Sequence, residues 1–153
     1  MKMLFLSLAM LAISAPALAS QVLVEYKLTP GFTAHPQVRQ IQILDTGDVT
    51  LTVTDLRNHT APVTSPVAQL TKEITAKVVT ALAQIPADAK LDDPNPNQGH
   101  CMDAPSWAVT ITKDGKPVTL RQEIGCHTSS VDGWYADMLA NLVEGFANLT
   151  AVQ

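Results

Sequence analysis

The feature that most narrows the possible folds is a pair of period-two runs on either side of Lys113-Asp114-Gly115-Lys116. Trp107, Val109 and Ile111 alternate with Ala108, Thr110 and Thr112 before the turn, and Val118, Leu120 and Ile124 alternate with Thr119, Arg121 and Glu123 after it. Period two marks a strand with one buried and one wet side, and Asp-Gly accepts the positive φ that a tight hairpin turn requires. The chain therefore builds a β-ribbon here, and any fold has to cover its apolar side.

The rest of the chain offers elements to do so. VRQIQIL and VTLTVTD flank Asp45-Thr46-Gly47-Asp48 and form another hairpin, preceded by a strand with Val22, Val24, Tyr26 and Leu28 on one side. A polar connector between Asp55 and Ser65 leads to Ser65-Pro66, a plausible cap and first-turn pair for a helix. Its apolar stripe is Val67, Leu70, Ile74, Val78, Leu82 and Ile85, and it stops at Pro86. A long loop through residue 106 follows, rich in Pro, Asp and Asn. A final helix, capped by Ser129 or Asp132, presents Trp134, Met138, Leu139, Leu142, Val143, Phe146 and Leu149. The expected class is α+β, an antiparallel sheet of about five strands with both helices on one face, in the order β-ββ-α-ββ-α. The second half repeats the plan of the first.

Residues 1–19 read as a secretory signal peptide: Lys2, an apolar run too short to span a bilayer, and Ala17-Leu18-Ala19, a pattern a signal peptidase accepts. Cleavage near Ala19 leaves residues 20–153 as a single α+β domain, with no membrane anchor, in a periplasm or outside the cell. In an oxidising compartment the only two cysteines, Cys101 and Cys126, are most simply a disulfide. Pairing through the Asp114-Gly115 turn leaves them two residues out of register, a discrepancy that one bulge or a longer loop could absorb, and strand parity turns both sulfurs toward the core. The same parity places His100 and His127 opposite one another on the wet face, with Met102 at hand as an extra ligand for Cu or Zn. The disulfide takes precedence because it consumes the thiolates and leaves only two imidazoles.

With 10 basic and 14 acidic residues and no basic run, the chain is a poor partner for nucleic acid or anionic membranes. It lacks a nucleophile elbow, a zinc-protease helix and a phosphate-cradling loop, and no cofactor is expected. What remains is surface. Thr50, Thr52, Thr54, Thr110, Thr112 and Thr119, with Arg121, form a hydroxyl-rich wet face suited to a partner, and the loop over 86–106 is a second candidate for recognition. The expectation is a small exported binding protein whose partner is another exported protein, in particular an inhibitor or immunity-like partner of a hydrolase. The alternatives are a periplasmic metal-binding protein using His100 and His127, and a hydrolase.

Overall fold

The structure, a computed structural model, describes residues 20–58, 60–92, 101 and 103–151. These form strands β1 (Val22–Thr29), β2 (Gln37–Leu44), β3 (Asp48–Asp55) and β4 (Val63–Gln69), helix α1 (Lys72–Gln84), strands β5 (Ser106–Lys113), β6 (Lys116–Ile124) and β7 (His127–Ser130), and helix α2 (Trp134–Ala151). All seven strands join one sheet in the order β4-β3-β2-β1-β5-β6-β7, antiparallel throughout. The plan is nearly mirrored about β1: three strands then α1 on one side, three strands then α2 on the other.

Alternation decides which face is covered. Val24, Ile41, Ile43, Val49, Val109 and Ile111 line up across the middle strands and are buried with Val78 and Ala81 of α1 and Leu139, Ala140 and Val143 of α2. Each of the Val, Leu and Ile side chains among them stabilises the fold by about 1.5–3 kcal/mol relative to exposure. The α+β class and both central hairpins agree with the sequence. The turn at Asp114 (φ 50°) and Gly115 (φ 73°) puts both central residues in the left-handed region, and Gly47 (φ 86°) closes the other.

The strand count is seven rather than five. β4 occupies the stretch read as connector and helix start, with Pro66 opposite Thr50. A proline in an edge strand has no ladder hydrogen bond to lose, which is why this strand tolerates it. The helix starts one and a half turns later: Thr71 is its cap, accepting the Ile74 amide at 3.3 Å. β7, four residues long, contains Ser129, which is buried in the sheet rather than capping α2. Trp134 and Leu149, read as part of the buried face of α2, are mostly exposed; Ala136 and Ala140 take that place with Leu139 and Val143.

A β-bulge produces the other departure. Thr110 pairs with Thr119 but Val109 pairs with Arg121, so Leu120 is the extra residue. Beyond it the parity of β6 reverses. Ile124, expected inside, is 57% exposed, and Arg121 and Glu123, expected in water, turn to the helix side.

Candidate functional site

One end of the sheet is tied together by a covalent bond and a set of constrained backbones. Cys101 and Cys126 form the disulfide, with Cα atoms 5.5 Å apart. Neither lies in a strand: Cys101 precedes β5, and Cys126 sits in the β6–β7 turn, so both are exposed and the sulfurs do not face the core. The Cys101 amide donates to the Gly125 carbonyl at 3.1 Å. Asp103, Gly125 and Cys126 all adopt positive φ, at 68°, 58° and 68°. For the two residues that carry a Cβ this costs about 1–3 kcal/mol each, and it persists where surrounding contacts over-determine it.

The loop between β1 and β2 packs on this end. Gly31 lies so close to Asp103 that an added Cβ would stand 2.0 Å from the Asp103 carbonyl oxygen. The next amide, Phe32, donates to that same oxygen at 3.3 Å. The backbone thus rests on the Asp103 carbonyl through two contacts while the Phe32 ring is 93% exposed. Pro30 and Pro36 bracket the loop and restrict it further.

The adjoining sheet face, opposite the helices, carries a shallow hollow lined by Lys27, Thr29, Ser106, Ala108, Gln122 and Ile124. Register explains it: Ala108 stands between Lys27 and Gln122, so a methyl group is flanked by two long side chains. Toward β3 the same face is ordered by Glu25, whose carboxylate accepts from Gln40 at 2.6 Å and Gln42 at 2.9 Å. Thr50 and Thr52 stand opposite Gln42 and Gln40, Thr54 opposite Val38, and Thr110 opposite Thr119, with Thr112 toward the hairpin tip. The six threonines therefore share the face opposite the helices. Arg121 does not, because the bulge carries it beneath α2, where it donates to Asp137 at 2.7 Å, Asn141 at 2.9 Å and Glu144 at 3.2 Å.

Of the residues read as metal ligands, His100 and Met102 lie outside the described residues. His127 opens β7 opposite Ile124 and is half-buried. Among the described residues no group of three His, Cys, Asp or Glu side chains is placed to hold a metal ion, and no helix is long and apolar enough to cross a membrane. No protein-family model matches the chain, and a comparison with curated proteins finds no match.

Sequence reasoning missed Gly31 and Phe32. The available signal was a lone aromatic residue directly after Pro-Gly in an otherwise polar loop.

Proposed function

We propose that this chain is an exported binding protein that engages another exported protein through the disulfide-pinned end of its sheet. The observation that carries the reading is Phe32: a nearly fully exposed ring on a backbone held by close packing and a hydrogen bond to Asp103. Aromatic side chains are favoured anchors at protein interfaces, and a loop already held in place loses little conformational entropy when a partner docks. The exposed Ile124 at the same end adds apolar area, and the hollow beside it offers Lys27, Ser106 and Gln122 as polar partners. The leader-like first 19 residues and the disulfide support export. Within this class, inhibition or neutralisation of a hydrolase in the same compartment is the finer reading. It suits a small scaffold clipped by one disulfide.

The test compares immobilised oxidised protein with its Phe32→Ser variant as baits for proteins of the culture fluid and cell envelope. The reading expects a discrete protein retained by the first and lost from the second, with both baits equally folded by circular dichroism. Equal retention by the two baits, or retention by neither, overturns it.

A further inference from the structure

A second site stands on the other side of the sheet, under α2. Asp137, Asn141, Glu144 and Asn148 form a polar stripe on this helix, at the three- and four-residue spacing that aligns side chains along one face. Arg121 engages the first three. Past it the stripe meets Tyr26 of β1 and Trp107 of β5, whose rings stack with centroids 5.8 Å apart and 27° between their planes. Tyr26, Trp107, Glu144 and Asn148 line a small cavity there, and a neighbouring hollow that shares Tyr26 and Asn148 is bordered by Leu28, Arg39 and Ala147.

Around this cavity three carboxylates, Asp137, Glu144 and Glu123, outnumber the two guanidinium groups, Arg121 and Arg39. Arg121 already faces two carboxylates, Asp137 and Glu144, and Glu123 lies near as a third. The phenol of Tyr26 reports the resulting field: its pKa is raised by burial first, and then by the negative charges of Glu144 and Glu123, against a smaller opposing effect of Arg39. Burial disfavours either sign of charge, and only the part of the shift due to Glu144 and Glu123 favours a cation over an anion beside the ring. Aromatic faces attract cations through their quadrupole, most strongly when Trp or Tyr is partly shielded from water.

We propose that this cavity binds a small organic ammonium ion, seated against the Tyr26–Trp107 pair with Glu144 as its counter-charge and Asn148 closing the wall. Aromatic rings alone suit a neutral apolar ligand and carboxylates alone suit an inorganic cation; the two together in one concave site select a cation with a carbon skeleton. The ammonium group can arrive free in solution or as a lipid head group. A cavity set between a helix and a sheet admits the free solute, and that source is the one proposed.

Choline is a suitable probe, read by the indole N–H signal of Trp107 in proton NMR, with the Trp134→Phe variant assigning the two indoles. Choline shifts the Trp107 signal saturably, whereas its uncharged carbon isostere, with tert-butyl in place of trimethylammonium, leaves it unmoved. Glu144→Gln weakens binding by about tenfold or more, equivalent to about 1.4 kcal/mol. Asp137→Asn removes another partner of Arg121 without touching the cavity and changes binding by less than about twofold, which separates the counter-charge from loosening of the helix. Four results overturn the proposal: no saturable shift with choline, an equal response to the isostere, equal weakening by the two substitutions, or a response only to phosphatidylcholine vesicles.

Discussion

Val109 stands opposite Arg121, although the next residue, Thr110, stands opposite Thr119. This one-residue slip around Leu120 decides what each side of β6 carries at its far end. It sends a guanidinium under α2 and leaves Ile124 in water beside the disulfide-linked turn. Both proposed sites draw on it, since one gains the exposed Ile124 and the other has Arg121 organising the polar stripe of α2.

Arg121 is 18% exposed and bridges two carboxylates, of which Glu144 is the more buried and Asp137 is half-exposed. Replacing Arg121 with Met leaves Glu144 without its cation, and urea unfolding should show a loss of about 1–3 kcal/mol. Asp137→Asn, at the wet end of the pair, should cost less than about 0.5 kcal/mol. Equal costs at the two positions would contradict the burial difference.

The disulfide closes a loop with a sequence separation of 25 residues. Converting both cysteines to serine should lower the unfolding free energy by about 3–4 kcal/mol on the chain-entropy account. The far-ultraviolet circular dichroism should stay unchanged, because the seven strands pair without it. Amide exchange should rise first in 101–105 and 124–127, where the backbone adopts its left-handed turns. Loss of the sheet signal in the reduced protein would contradict this.

Gly31 faces backbone atoms, which cannot rotate away as a side-chain tip would. Gly31→Ala brings its methyl group against the Asp103 carbonyl and the Ala104 backbone. The expected result is a loss of about 1–3 kcal/mol by thermal unfolding and a detached 30–36 loop. An unchanged melting curve would show that the loop does not rest on Asp103.

Tyr26 gives a pH signature. Burial, followed by the charges of Glu144 and Glu123, raises its hydroxyl above the ordinary 10.0. A proton held more tightly when folded contributes stability that is complete below the unfolded value and fades as pH rises through the folded one. Stability relative to Tyr26→Phe should therefore be constant at about pH 8 and fall above about pH 10. Parallel curves for the two proteins across that range would contradict the raised hydroxyl.

Both hairpins were legible because their turns carry Asp-Gly or Thr-Gly and the strand residues nearest each turn alternate. The disulfide was legible from the leader-like first residues and from number, since two cysteines allow one pairing. Its placement was not: Asp103 and Cys126 bend the chain through conformations that side chains disfavour, and Pro105 ends the strand before Cys101. β4 was hidden by Thr64, Ser65 and Pro66, an edge composition that reads as loop because an edge strand buries so little. The Leu120 bulge left one mark in the residue pattern: strict alternation from Val118 and Leu120 would put the polar Gln122 inside, and the slip carries it to the face opposite the helices. The threonine face could be placed from parity alone, whereas Phe32 gained meaning only when Asp103 was found beneath it.

The central claim, that the disulfide-pinned end is the partner-binding end, is tested most directly by site-specific photo-crosslinking. A photoreactive phenylalanine analogue at position 32, and the same residue at position 116 on the β5–β6 hairpin, are irradiated in the presence of the exported protein fraction. The account predicts one discrete covalent adduct from position 32 and none from position 116. The absence of an adduct at position 32, or the same adduct from both positions, would contradict it.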